Sequence, residues 1–267
     1  MSFNLRYGTA EDGVNIWDNR RELALAHIQS FAPDLLGVQE CQDNFQAEFL
    51  KENLPDYGFV GVPRGGMKLV PEHVRLEMTA VFYRGSVFEL LEAETFWLSK
   101  TPEKPGSQSW GSMFARTVTW VRLKPSQCPH VEIFFFNTHF DHFSQKAIRE
   151  SAKLLSERIA ALTGNMPVIL TGDFNTLKDT PAYKTLTDAG LRDVYRESHP
   201  QEEVSEGTFH GFGRVPPLAI DWILVSRHFE VIKAGVDRFH GGNIYASDHY
   251  PITAVLSFAP KDHEGSS

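Results

Sequence analysis

Among 267 residues there are only two cysteines, Cys41 and Cys128. Two isolated thiols without metal-type spacing exclude a disulfide framework and fit a reducing compartment. Long apolar runs are missing too, so no window is long enough to cross a bilayer. The first residues, Met1-Ser2-Phe3-Asn4-Leu5-Arg6, lack the basic start and apolar run of a secretory signal. A cytoplasmic location is therefore expected, unless a signal has been removed. Surplus positive charge is also absent: a net charge of −8 argues against a general binder of duplex DNA. Affinity for that polymer rests on Lys and Arg releasing counterions. A small phosphorylated substrate held by a few local charges remains open, as does a local basic groove. No Gly/Ser or Pro-rich linker and no internal repeat interrupt the chain. We expect one domain over residues 1–259 and a polar, disordered tail over 260–267.

What is present is apolar mass. With 42% hydrophobic residues and 20 Phe, a large core forms without staples. The central stretch is Pro167-Val168-Ile169-Leu170-Thr171-Gly172-Asp173-Phe174-Asn175-Thr176. A short apolar run opened by Pro and closed by Gly-Asp reads as a buried strand that delivers a carboxylate at its exit. Other apolar strands end in similar groups: Gln39-Glu40, Asn137-Thr138-His139, Asp221 within Ala219 to Ile223, and Ser247-Asp248-His249. Together they describe one polar pocket on an apolar scaffold.

Around these ends the pattern predicts a short strand over Ser2 to Tyr7, a polar loop from Gly8 to Trp17, and a helix from Arg20 to Phe31 capped by Asp18 or Asn19. Asp43 is expected to cap a helix through about Leu54, with Gln46 as its reciprocal partner and Phe45, Phe49 and Leu50 facing inward. Strand-like runs follow, separated by polar loops at Pro63 to Glu77 and Ser99 to Ala115. Ser144 to Thr163 is the longest helix, and Pro181 begins another that stops at Gly190. Leu218 to Val225 and Pro251 to Phe258 read as the last two strong strands. Two packed sheets with helices outside is the architecture this order implies.

Each polar residue has an ordinary alternative. Glu40 alone reads as a helix-start residue paired with an Arg, and Asn4 as a turn residue. His139, Asp141 and His142 do not match zinc spacing. Asp221 sits inside an apolar run, where a carboxylate is rare unless bound, and His249 is its natural partner. Their joint occurrence at successive strand ends is what the ordinary readings leave unexplained.

The set Phe3-Asn4-Leu5-Arg6, Val38-Gln39-Glu40, Asn137-Thr138-His139-Phe140, Thr171-Gly172-Asp173-Phe174-Asn175, Ile220-Asp221-Trp222-Ile223 and Ser247-Asp248-His249-Tyr250-Pro251 resembles the endonuclease/exonuclease/phosphatase superfamily. His139, rather than Tyr, in its block is similar to the pancreatic-deoxyribonuclease and deadenylase-like branches. The resemblance implies an α/β fold, a four-layer α-β-β-α sandwich with two central, mostly antiparallel sheets flanked by helices. It implies metal-assisted hydrolysis of a phosphate ester with Mg²⁺, or Mn²⁺ in its place. Glu40, Asn4 and Asp248 are the implied metal ligands. Asp173 aligns or deprotonates water, Asn175 donates to a phosphate oxygen, and His249, oriented by Asp221, donates to the phosphoryl group. His139 bonds the phosphate or assists the leaving oxygen. Arg116 and the Thr208 to Phe212 block with His210 precede strands and are candidates for substrate contact, and Trp17 and Trp110 for stacking on a base or sugar. No basic loop for duplex DNA and no apolar hairpin for a membrane is found. A small phosphorylated substrate or a single-stranded nucleic-acid end fits better. A binding protein without catalysis, and a hydrolase of a non-phosphate bond, are the competing classes.

Overall fold

The computed structural model describes residues 1–66, 70–201 and 206–260. The expected tail, apart from Pro260, lies outside these. The chain runs β1 (Ser2–Asn4), α1 (Trp17–Phe31), β2 (Leu35–Gln42), α2 (Glu48–Asn53), β3 (Tyr57–Val60), α3 (Glu72–Arg75), β4 (Glu77–Arg84), β5 (Phe88–Trp97) and β6 (Thr117–Pro125). It continues through β7 (Ile133–His139), α4 (Gln145–Thr163), β8 (Val168–Asp173), α5 (Pro181–Asp188), β9 (Arg192–Asp193), α6 (Val194–Ser198), β10 (Asp221–Val225), β11 (Phe229–Val236) and β12 (Ile252–Phe258).

Two six-stranded sheets result, in the orders β11-β12-β1-β2-β4-β3 and β5-β6-β7-β8-β10-β9. The pairs β1/β2 and β7/β8 are parallel, and each is joined by a helical crossover, α1 or α4. The remaining pairs are antiparallel. Alternation along each strand divides the core into three apolar layers. Phe134, Phe136, Leu170, Trp222 and Leu224 pack toward α4 and α5. Phe135, Ile169, Ile223, Val81 and Val121 fill the seam between the sheets. Phe3, Leu36, Val38 and Phe82 meet Trp17, Ala24 and Ile28 of α1. Helix, sheet, sheet, helix is the four-layer sandwich that the resemblance implies.

A covered strand has to be apolar on both faces, which is why β7 reads as Ile-Phe-Phe-Phe. Near the site the seam changes from apolar to polar. Gln39 Nε2 donates to Asn137 Oδ1 at 2.7 Å, and Asn137 Nδ2 donates to the carbonyls of Val38 and Ala80 at 2.8 Å each. Thr171 Oγ1 donates to the same Asn137 Oδ1 at 3.1 Å. Gly37 permits this approach: a Cβ there would lie 2.3 Å from Thr171 Oγ1. Buried hydrogen bonds of this kind hold register, because breaking one leaves a buried group unpaired at a cost of about 1–3 kcal/mol.

Several local expectations are corrected. Trp17 is not in a loop: it begins α1 and is 2% exposed, against Phe49, so it is no stacking platform for a ligand. Helix α1 starts earlier than the polar residues suggest because Ile16, not Asp18 or Asn19, occupies the cap position. Asp43 makes no capping bond; a π-helical turn over Asp43–Ala47 precedes α2, and Gln46 accepts from the backbone of Gln42 and Gly8. That turn leaves Phe45 exposed rather than inward. Strand β11 was unexpected, since its apolar residues alternate with Glu230 and Lys233. Among the described residues no helix is long and apolar enough to cross a membrane.

Candidate active site

The polar strand ends converge at one end of the sandwich. Register explains the convergence: His139 is the partner of Asp173 across β7/β8, and Asp173 is the partner of Asp221 across β8/β10. From the other sheet, Asn4 is the partner of Gln39, one residue before Glu40. A bulge between Val38 and Cys41 breaks the β2/β4 ladder, and Glu40 takes φ +57 within it. Bulges re-aim side chains, and a left-handed backbone at a non-glycine residue is strain that surrounding contacts must hold. Arg6 at φ +53 and Asn175 at φ +48 share that conformation, so three residues of this one site carry it.

Asn4 ties the two sheets together. Its Nδ2 donates to Asp173 Oδ2 at 2.9 Å and to Glu40 Oε1 at 3.2 Å, while its Oδ1 accepts from the Arg6 backbone at 2.9 Å. Glu40 Oε2 accepts from the Tyr7 backbone at 3.0 Å. Burial raises the Glu40 pKa, but Arg6, His249 and these donors outweigh it and hold the group below its ordinary value. Asp173 Oδ1 accepts from the Asn175 backbone at 2.9 Å. Burial, and next Asp221, push Asp173 up to about 7. Burial likewise raises Asp248, whose Oδ2 lies 3.9 Å from Arg6 Nε.

Two imidazoles flank Asp173 Oδ2. His249 Nε2 is 3.8 Å away and His139 Nε2 is 3.4 Å away. His249 Nδ1 donates to Asp221 Oδ2 at 2.8 Å, and Thr208 Oγ1 donates to the same oxygen at 2.5 Å. Burial alone would lower the His249 pKa, but Asp221, Asp173 and Asp248 raise it to about 10. His139 goes the other way: burial and then Arg116 and Arg64 drive it well below 6.5. Asn175 Nδ2 donates to the Phe140 carbonyl at 3.1 Å and, being an amide nitrogen with a second hydrogen, also to His139 Nε2 at 3.0 Å. Nε2 of His139 is thus an acceptor, and both amide hydrogens of Asn175 are in use. For Asn175 to donate to a phosphate oxygen, one of these bonds must be given up.

The donor set fits a hard divalent cation. Asp173 and Asp248 are buried and Glu40 is partly so, and the three carboxylates lie near His249 and Arg6; oxygen donors of this kind suit a hard divalent cation. Asp173, Asp221 and His249 also bring potential ligand atoms within 4.8 Å of one another. That trio is the poorer site, because Asp221 Oδ2 is engaged by a charged imidazole, which repels a cation.

The remaining expected residues lie around this centre. Arg116 is 4% exposed and its Nη2 donates to His142 Nδ1 at 2.8 Å. His210 is drawn into the wall: its ring stacks on Tyr250 at 3.8 Å, and Nδ1 accepts from Gly213 at 2.9 Å. Its backbone donates to the Asp248 carbonyl at 2.9 Å, and that of Gly211 to the same carbonyl at 3.1 Å, which fixes the 208–213 loop beside the pocket. Trp110 stays in a loop, half-buried, at φ +57.

The sequence did not single out Arg20, which is fully buried and donates to the carbonyls of Leu5, Arg6, Asn15 and Ala246, clamping β1 to the segment before Asp248. Nor did it single out Thr208 as the second donor to Asp221, or Arg64, which is 5% exposed and paired with Glu77 at 2.7 Å. An Arg on an otherwise apolar helix face was the available signal for Arg20. A cavity of about 580 Å³ opens at the other end of the sandwich near Met1, Leu35, Phe88 and Phe258, and its described lining residues form no comparable cluster of titratable groups.

The sequence profile of the Endonuclease/Exonuclease/phosphatase family matches residues 1–249. The chain belongs to that family. An endonuclease/exonuclease/phosphatase from Bacteroides vulgatus is similar in structure, with a TM-score of 0.86 at 30% identity over 97% of each chain. A mannosyl-6-phosphatase from Bacteroides thetaiotaomicron has a TM-score of 0.83 at 33% identity, covering 96% of this chain and 98% of the other. An uncharacterized protein, L388, of Acanthamoeba polyphaga mimivirus is 30% identical over 178 residues, which span 64% of this chain and 63% of the viral one. The match thus covers less than two thirds of the viral protein's own length.

Proposed function

We propose that this family member is a divalent-metal-dependent phosphoesterase that hydrolyses a small phosphorylated substrate or the phosphate end of a single-stranded nucleic acid. The observation that carries the reading is Asp173, held by Asn4 and by the Asn175 backbone, with the Asp221-bound His249 imidazole 3.8 Å from its Oδ2. A fixed carboxylate beside a fixed imidazolium matches what water attack on phosphorus requires. The mannosyl-6-phosphatase relative supports the same chemistry.

Asp173 orients the attacking water and takes its proton as the oxygen bonds to phosphorus and the ester P–O bond breaks; the alkoxide leaves with that bond's electron pair and takes a proton from solvent. His249 donates Nε2–H to a phosphoryl oxygen, and Asp221 keeps that imidazole charged and aimed. His139 accepts at Nε2 and so holds Asn175 and the wall beside the phosphate in place. Glu40 and Asp248, with Asn4 beside them, would hold the Mg²⁺ or Mn²⁺ ion, which when bound polarises a phosphoryl oxygen and neutralises transition-state charge.

The test is hydrolysis of p-nitrophenyl phosphate and bis-p-nitrophenyl phosphate with Mg²⁺, with Mn²⁺ and with chelator, using Asp173→Ala as the blank. Turnover that needs metal and disappears in the variant is expected. Turnover that persists in a well-folded Asp173→Ala protein overturns the assignment of Asp173. A protein that binds phosphate but turns over neither ester, with either metal, is a binding protein on this fold.

A further inference from the structure

Beyond Asp173, on the His139 side, a small cleft is lined by Glu40, Arg64, Glu77, Arg116, Thr117 and His139. Its free volume, about 10 Å³, is that of one water-sized group. Arg64 and Glu77 neutralise each other there: Nη2 meets Oε1 at 2.7 Å, and Arg64 Nε donates to the Val74 carbonyl at 2.7 Å. Arg116 has no such match. Its Nε lies 4.0 Å from Asp141 Oδ1, too far for a hydrogen bond, and Asp141 accepts instead from the backbones of Met113, Phe143 and Ser144. Among the described residues, Nε and Nη1 of Arg116 have no partner although both are buried. Among the described residues its one hydrogen bond, from Nη2 to His142 Nδ1, goes to a neutral acceptor.

A cation that is 4% exposed and uses so few of its five N–H donors is expensive to keep, unless an anion completes it. The cleft it lines reaches Glu40 and His139, so the missing anion lies at the active site, and the space admits a single oxygen atom rather than a second phosphate group. We propose that Arg116 receives one terminal oxygen of the phosphoryl group under attack, and that this makes the site selective for phosphomonoesters. The inference rests on the phosphoesterase reading and deepens it. The phosphoryl group then meets three receptors for its oxygens: the cation that Glu40 would hold, His249 Nε2 and the Arg116 guanidinium. A monoester dianion carries three terminal oxygens, and a diester only two. In a diester the second alkoxy group has to displace an oxygen from one of the three, and the Arg116 cleft has no room for it.

The experiment compares kcat/KM for p-nitrophenyl phosphate and bis-p-nitrophenyl phosphate, with Mg²⁺, in the unmodified protein, Arg116→Gln and Arg116→Lys. Melting temperature is recorded for each, and inorganic phosphate affinity is measured by calorimetry. The unmodified protein is expected to prefer the monoester. Arg116→Gln is expected to lose about 10²-fold on the monoester, in the range seen when one oxyanion donor is removed, and only a few-fold on the diester. Its phosphate affinity should fall at least about tenfold, with partial recovery in Arg116→Lys from charge alone. Preference of the unmodified protein for the diester overturns the proposal. So does an equal loss on both esters, or unchanged phosphate affinity in a folded Arg116→Gln protein, which is what a purely structural tie to His142 would produce. If Arg116→Gln does not fold, Arg116→Lys decides, with a monoester preference reduced about tenfold expected and an unchanged one overturning. If the unmodified protein turns over neither ester, the phosphoesterase reading fails, and the phosphate titration still reports on Arg116.

Discussion

His249 and His139 both present Nε2 to Asp173 Oδ2, at 3.8 and 3.4 Å, and both are buried, yet their surroundings move their pKa values in opposite directions. Behind His249 stands the carboxylate of Asp221, which overcomes the cost of burial and raises the pKa to about 10. Behind His139 stand the guanidinium groups of Arg116 and Arg64, which add to that cost and keep the ring neutral. Burial by itself therefore does not decide what an imidazole does. The sign of the group behind it does, and one pocket gains a charged donor and a neutral acceptor from the same residue type.

The sharpest way to break this contrast is to remove the charged side. Asp173→Ala and His249→Ala are each expected to lower kcat by roughly two to four orders of magnitude with the fold kept, read by steady-state kinetics alongside circular dichroism. A His249→Ala protein of near-normal rate would remove the imidazolium from the chemistry. Asp221→Asn keeps the shape but withdraws the charge. It should cost roughly 10- to 100-fold, and because the His249 pKa falls from about 10, the alkaline limb of the pH–rate profile should move to lower pH. An alkaline limb that stays in place would mean another group controls it. On the neutral side, His139→Gln removes one uncharged acceptor and should cost no more than about tenfold. A loss matching that of His249→Ala would show that the two rings are not unlike in function.

The smallest effect is on stability. Burial, and then His249, His240 and Arg238, lower the His210 pKa from 6.5 to about 4. The unfolded chain takes up that proton as pH falls below 6.5 and the folded protein does not. Stability is thus fully present above 6.5 and is lost as pH falls toward 4. After discounting for solvent screening at the loop, this group contributes about 1–2 kcal/mol. Urea titrations across that window should show a shallower decline for His210→Gln, and an unaltered decline would assign the acid sensitivity elsewhere.

Much of this was legible along the chain. Strand-end polar groups at Glu40, His139, Asp173, Asp221 and Asp248-His249 were visible because covered strands must be apolar until they leave the core, so a carboxylate at the exit stands out. Trp17 was misread as a loop residue because Ile16 offers no side-chain cap, and the helix there starts on packing rather than on a polar signal. Strand β11 was missed because its outward residues break the apolar run. The Asp43 cap was misplaced because a π-helical turn has no distinctive residue pattern. Arg64 and Arg116 are far apart along the chain, and no local pattern could pair them with one small cleft.

The amino-acid sequence by itself determined which residues could be strands covered on both faces, where those strands end, and which polar groups wait at the ends. Periodicity and turn chemistry act over a few residues, and a resemblance in motif order extends that reach only to the motifs. Tertiary structure decided the rest: that Glu40 turns through a left-handed bulge, that Asn4 bridges the two sheets, that arginines rather than a carboxylate stand near His139, and that Arg116 keeps buried donors unpaired among the described residues. These depend on Coulomb interactions and hydrogen bonds between groups far apart along the chain, whose strength is set by distance and burial, and both exist only once the sheets have packed.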